Sequence, residues 1–424
     1  MATNVVNTDG GGIDRVAAYA VEDIQDFWAR RYPSVFHGSF LPVSKLVSID
    51  PTARYGPTVC DSDPSEFDFN AAYCRVQDLI AWDRADLLPT AQKYFGEMAV
   101  NGLLAHEYGH AVQWRAGLVD TESPSVLVRE QQADCFAGDY LRWVAEGQSP
   151  RFTLNTTSAL DRVIAGAIAI RDPLSTTSLL APDEPSHGTA LDRVSALQKG
   201  FDVGADGCAA INDADIEQRR GSLPSSLFDP ASPQSDMPIS QESLTTLMES
   251  LGQILTPARL PTLSIGSESC SPIGNSVPVA YCPDTNEIAV DMPRLQQAGT
   301  PADEAERVLL QGDNTAFSMV ASRYAMAVEH ERGLPLDTSA TAMRTACLTG
   351  AVQRSMSANT PLPSGKQLVL GAGDLDEAIS GLLTNPIVAS DVNGKAVPSG
   401  FTRILAFRSG LLGSSADDCY RRFP

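Results

Sequence analysis

The sequence predicts an α+β fold, predominantly helical, built as one domain followed by a degenerate tandem copy of the same fold. Three observations lead there. The 424 residues exceed one ordinary core and suggest two domains of about 200 residues each. The eight cysteines fall into two sets of four in the same order, offset by roughly 210 residues. Each half also carries short apolar strand-like runs followed by longer proline-free stretches with helical spacing.

The first residues, Met-Ala-Thr-Asn-Val, show no basic region followed by an apolar stretch, and no run of 18 or more apolar residues occurs anywhere. A hydrophobic content of 43% is that of a globular chain, and the net charge of -21 argues against a nucleic-acid partner, which needs clustered Lys and Arg. Even cysteine usage without a Cys-x-x-Cys pair favours disulfides in an oxidising compartment over a cysteine metal site. The chain is therefore expected to be extracytoplasmic, secreted or a cell-envelope lipoprotein, with its export signal removed.

The repeat orders the elements. Cys60, Cys74, Cys135 and Cys208 correspond to Cys270, Cys282, Cys347 and Cys419. Ala72-Tyr73-Cys74 precedes an apolar run ending at Asp83, as Ala280-Tyr281-Cys282 precedes one ending at Asp291, a hairpin signature in both halves. LLAHEYGHAVQWRAGL at 103–118 aligns with MVASRYAMAVEHERGL at 319–334, DCFAG around Cys135 with ACLTG around Cys347, and DRVSALQKG at 192–200 with TRILAFRSG at 402–410. The resulting division is an active domain over 13–212, a Pro- and Ser-rich connector without a core of its own over 213–238, and the degenerate copy over 239–424. The repeat pairs Cys60 with Cys74, Cys135 with Cys208, Cys270 with Cys282 and Cys347 with Cys419, although sequence does not fix connectivity.

Residues 98–116 contain no proline, show helical apolar spacing and lead to Gly117, so His106 and His110 share one face of a helix. Two imidazoles one turn apart reach one Zn²⁺, and the intervening Glu107 is placed to take a proton from the attacking water. With five histidines in the chain, this spacing with the glutamate in place is a rare accident. A catalytic zinc needs a third protein ligand. The second helical stretch, 126–144, places Glu130 and Asp134 a turn apart: Glu130 is expected as that ligand, and Asp134 as the carboxylate that orients a zinc histidine. His187, in a Pro-Ser-His-Gly turn, is a candidate donor to the developing oxyanion. Arg193 reads as a structural ion-pair partner.

HEYGH at 106–110, EQQADCFAG at 130–138 and SHGTALDRVSALQKGFDVGADGC at 186–208 resemble the neutral zinc metallopeptidases of bacteria over most of residues 50–212. Within that family, a mycobacterial-type lipoprotein peptidase is the kind expected. The resemblance implies a zincin-like fold, zinc held by His106, His110 and Glu130, Glu107 as general base, and cysteines in disulfides. The stretch 61–73, DSDPSEFDFNAAY, departs from the Gly-rich character of relatives.

In the second copy, alignment replaces His106, Glu107 and His110 by Ser322, Arg323 and Met326, and Glu130 and Asp134 by Ala342 and Ala346. An arginine at the base position repels a metal cation, so a pseudo-enzyme domain is expected. The reaction expected of the whole is zinc-dependent hydrolysis of a peptide or protein substrate. The alternatives are a zinc amidase acting on cell-wall peptides, or a zinc-binding scaffold with little turnover. Membrane tethering through the removed lipoprotein signal and partner docking by the second copy remain open.

Overall fold

The computed structural model describes residues 5–120, 124–169, 188–224, 237–266, 277–301, 309, 311–358 and 361–424. Described elements follow in chain order as β1 (Val5–Val6), α1 (Gly12–Val35), β2 (Lys45–Ile49), β3 (Ala71–Cys74), β4 (Leu79–Asp83), α2 (Leu87–Phe95), α3 (Glu97–Arg115), α4 (Val126–Ala145), α5 (Ser158–Ala169), α6 (Ala190–Val203), α7 (Ala205–Ala209) and α8 (Asp213–Arg220). The later half adds α9 (Gln241–Leu255), β5 (Thr262–Ile265), β6 (Val279–Cys282), β7 (Glu287–Val290), α10 (Met292–Ala298), α11 (Asp313–Glu331), α12 (Ser339–Met356), α13 (Ala372–Thr384), α14 (Gly400–Leu411) and α15 (Asp417–Arg422). The fold is mixed α+β and mostly helical. The chain divides into two compact units, one made chiefly of Met1–Arg171 and Asp192–Ile216, the other chiefly of Glu217–Pro424. Among the described residues no helix is long and apolar enough to cross a membrane.

In the first unit the sheet runs β1-β2-β4-β3. β2 pairs in parallel with β1 and with β4, while β3 is antiparallel to β4 with Tyr73 opposite Ile80. Every residue of β4, Leu-Ile-Ala-Trp-Asp, is buried, as an inner strand covered on both faces requires. Trp82 on β4 donates its indole N–H to Asp14 of α1 at 2.9 Å, which ties the sheet to the first helix. Phe67, inside the loop closed by the Cys60–Cys74 disulfide, and Val59, just before it, pack on Val47, Ile49, Leu79 and Ala81 of the sheet.

α3 is central to the first unit. It packs against α1, α2, α4, α5 and β3, and this explains why Ala99, Val100, Ala105 and Tyr108, which point in different directions around its axis, are all buried. α4 starts at Ser125, whose Oγ accepts from Val128 N at 3.4 Å, and is fastened to α7 by the Cys135–Cys208 disulfide. The expected connector at 213–238 begins as a helix instead: α8 has Asp213 and Asp215 in its first turn and Arg219 and Arg220 in its last, the charge order that complements a helix dipole, and it buries Ile216. Residues 225–236 of that connector lie outside the described residues.

The second unit has a sheet ordered β5-β7-β6, with β5 parallel and β6 antiparallel to β7. α11 and α12 cross with α9, α13 and α14 around them, and Cys347 of α12 bonds Cys419 of α15. Cys282 is also disulfide-bonded; Cys270, its expected partner, lies outside the described residues. A buried ion pair locks this helical layer: Arg344 Nε donates to Glu329 at 2.8 Å, Thr345 Oγ1 donates to the other carboxylate oxygen at 2.9 Å, and Arg344 Nη1 reaches the carbonyl of Phe423 at 2.7 Å. Glu329→Gln should strand the Arg344 charge and lower stability by about 3–5 kcal/mol, the cost of breaking a buried pair from one side. Chemical denaturation of the full chain checks it, and an unchanged unfolding midpoint would contradict it.

Candidate metal centre

The site is assembled where α4 crosses α3. Gly109, between the two histidines of α3, faces Ala133 of α4 so closely that a Cβ on it would lie 2.9 Å from Ala133 Cα. Only glycine permits that approach, and the approach brings Glu130 of α4 within reach of both imidazoles. His106 Nε2 stands 3.2 Å from Glu130 Oε2, and His110 Nε2 stands 3.4 Å from Glu130 Oε1. The two rings are 4.9 Å apart and almost perpendicular, at 88°.

Among the described residues, the donor atoms of His106, His110 and Glu130 lie within 4.8 Å of one another. Donors bound about 2.05 Å from a tetrahedral centre stand about 3.3 Å apart, the scale of the two contacts to Glu130. Two imidazole nitrogens and one carboxylate oxygen are a donor set that catalytic zinc accepts, with a coordination position left over. The residues present therefore fit the metal that the motif implies.

What stands behind the donors orients them. Asp134 Oδ1 is 2.7 Å from His106 Nδ1, so Nε2 of that ring is the nitrogen that turns toward Glu130. Asp134 is in turn held by Arg193 of α6 through Nε at 3.0 Å and Nη2 at 2.7 Å. Arg193, expected only as an ion-pair partner, thus has the orienting carboxylate itself as its partner. His110 Nδ1 lies 3.0 Å from Gln113 Oε1. Glu107 is 7% exposed and accepts the backbone N–H of Tyr73, on the sheet-edge strand β3, at 3.0 Å.

Electrostatics follows from this packing. Burial disfavours a charged His106, but Asp134 and Glu130 outweigh it and push its pKa up to about 10. Burial likewise works against the Asp134 carboxylate, yet Arg193 and His106 hold it well below the usual carboxylate range. The two carboxylates thus favour positive charge at His106, the condition a cation site needs. Burial raises the Glu107 pKa, the imidazoles and the Tyr73 N–H pull it down, and Glu130 adds to the rise. A carboxyl with a raised pKa is suited to holding a proton between two transfers.

The structure brings together His106, Glu107, His110, Glu130 and Asp134, all on α3 and α4. His187 lies outside the described residues. The sequence reading missed Gln113, which a spacing of seven from His106 places on the histidine face, and the Tyr73 N–H, a backbone group that leaves no mark in side-chain patterns. In the second unit, Arg323 is fully buried and donates to the carbonyl of Ile387 at 2.6 Å and to Ser390 Oγ at 3.1 Å. Among the described residues one further group has ligand-like spacing, Asp313, Asp374 and Glu377; it contains no imidazole, and its carboxylates accept the backbone N–H groups of Met237, Gly371 and Asn314. Asp134→Asn should weaken zinc binding by about 10- to 100-fold, as loss of a partner behind a metal ligand does, measured by competition with a chelator. Wild-type affinity in that variant would remove Asp134 from the site.

Comparison with known proteins agrees with this geometry over one stretch of the chain. No solved structure matches the chain. Two Escherichia coli proteins, each described as uncharacterized protein YpfJ and coming from strains K12 and O6:H1, are 28% identical over 164 residues, covering 35% of this chain and 51% of theirs. The chain therefore spans about half the length of the curated relatives it matches. Residues 73–211, which contain every member of the α3–α4 cluster, match the family described as putative neutral zinc metallopeptidase.

Proposed function

We propose that the first unit is a zinc-dependent peptidase whose metal is held by His106, His110 and Glu130 and whose general base is Glu107. The observation that carries this reading is the convergence of three ligand atoms within 4.8 Å beside a buried glutamate. Zinc, when bound, lowers the pKa of water and polarises a carbonyl. Glu107, buried beside the ligands, takes the proton of the attacking water and delivers it to the leaving amine. The Tyr73 N–H holds the Glu107 carboxylate in place, and Asp134, anchored by Arg193, keeps His106 turned toward Glu130. His187 is proposed as a donor to the oxyanion on its sequence context alone.

A zincin-like arrangement is part of the same reading. It is supported by a sheet whose antiparallel edge strand, β3, lies against the motif helix α3. The second unit is proposed to be a copy of the first that has lost the site. Each unit has an antiparallel edge strand paired to an inner parallel strand, and each has a disulfide that joins a long helix, α4 or α12, to a short later one, α7 or α15. The same glycine contact recurs: a Cβ on Gly200 would lie 1.7 Å from the Cys135 carbonyl oxygen, and one on Gly410 would lie 1.8 Å from that of Cys347. Arg323, at the position of the general base, is bound to backbone carbonyls of its own unit. Disulfides in both units support an extracytoplasmic location, where such bonds persist.

The test is zinc content and casein cleavage by the wild type, Glu107→Ala and a chelated sample. One zinc per chain is expected in wild type and variant, with cleavage in the variant reduced roughly a hundred- to ten-thousand-fold and abolished by chelation. A chain that takes up no zinc, or a variant that cleaves like wild type, would overturn the reading.

A further inference from the structure

The two imidazoles of the site are held from behind by different chemistry. His106 leans on a carboxylate whose charge Arg193 offsets, while His110 leans on a neutral side-chain amide, Gln113. Gln113 is 1% exposed and sits on the histidine face of α3. Its Nε2 donates to the carbonyl of Arg129 at 2.6 Å and to Gln132 Oε1 at 3.1 Å. Gln132, 3% exposed on α4, donates its own Nε2 to the carbonyl of Ile211 at 3.0 Å.

The direction of this chain is fixed by two carbonyls, that of Arg129 beside Gln113 and that of Ile211 at its far end. A backbone carbonyl only accepts, so Gln132 must turn its NH₂ toward Ile211 and its oxygen toward Gln113. Gln113 must then present both amide hydrogens to Arg129 and Gln132, leaving its oxygen for His110. An oxygen only accepts, so a neutral His110 must carry its proton on Nδ1 and keep the lone pair of Nε2 facing Glu130, 3.4 Å away. Reversing either glutamine would set oxygen against oxygen in a buried place. Ile211 itself is secured by donation of its N–H to the carbonyl of Cys208 at 3.1 Å, beside the Cys135–Cys208 disulfide.

We propose that Gln113 and Gln132 are positioning residues, an amide relay anchored at the Ile211 carbonyl that sets the tautomer of His110 and so makes its Nε2 a metal donor. The purpose assigned to the relay rests on the zinc reading above. The relay accomplishes for His110 what Asp134 does for His106, without placing another negative charge against the ligands.

The experiment uses the full chain labelled with ¹⁵N-histidine, in chelator at mildly alkaline pH, with the His110 signals identified by their loss in His110→Ala. Wild type should show His110 protonated at Nδ1. Gln113→Met keeps the length of the side chain and removes the acceptor; it should lose that single tautomer and bind zinc about 10- to 100-fold more weakly in chelator competition. Gln132→Met should act in the same direction but less, because the Arg129 carbonyl still takes one Gln113 amide hydrogen, and the double variant should bind no worse than Gln113→Met, since one relay is already broken. Gln113→Glu should not rescue, because a carboxylate there faces the oxygens of Arg129 and Gln132. The proposal is overturned if wild-type His110 is protonated at Nε2, if Gln113→Met leaves tautomer and affinity unchanged, or if Gln113→Glu binds as tightly as wild type. Should Gln113→Met fail to fold, the tautomer of wild-type His110 and the zinc affinity of Gln113→Glu decide. A wild type that binds no zinc defeats the zinc reading separately, while the tautomer of His110 still decides the relay.

Discussion

A single close crossing, Gly109 of α3 against Ala133 of α4, is the constraint on which the first unit's chemistry depends. Two imidazoles on one helix supply only two ligands, and the third must come from a helix that approaches within a few ångströms of the first. A side chain at position 109 would hold α4 away and move Glu130 from both rings. The approach is reinforced by hydrogen bonds that also orient the site: Asp134 to His106, and Gln113 to the α4 backbone at Arg129. Packing and site geometry are therefore one arrangement.

Two lines of side chains radiate from that crossing, and both end in the α6–α7 region. One runs from His106 through Asp134 to Arg193, and the other from His110 through Gln113 and Gln132 to Ile211. The first ends in a buried, charge-compensated pair, the second in a backbone carbonyl beside a disulfide. The orientation of both imidazoles thus depends on residues of the α6–α7 region, and the family match over 73–211 includes them.

The parts of the site legible in the sequence were those written in helical spacing. His106, Glu107 and His110 on α3, and Glu130 with Asp134 on α4, need only a period of 3.6 residues to be placed together. Gln113 obeys the same spacing, but a glutamine on a helix reads as a solvated polar residue until the structure shows it buried between two helices. Arg193 is 59 residues from Asp134 in sequence, and the pairing exists only through the tertiary fold. The helix α8 was hidden because its segment is polar and has little apolar periodicity; its charge order and one buried isoleucine form it. The hairpins, by contrast, were visible twice, since alternation and the Ala-Tyr-Cys run recur in both halves.

The central claim is that His106, His110 and Glu130 together form one three-ligand zinc site. X-ray absorption at the zinc edge of the loaded full chain tests it most directly. The account predicts a four-coordinate metal with two imidazole nitrogens and oxygen donors at about 2.0–2.1 Å, and the loss of one imidazole from the spectrum of His110→Ala. Sulfur in the shell, or a shell of oxygens without imidazole, would contradict it.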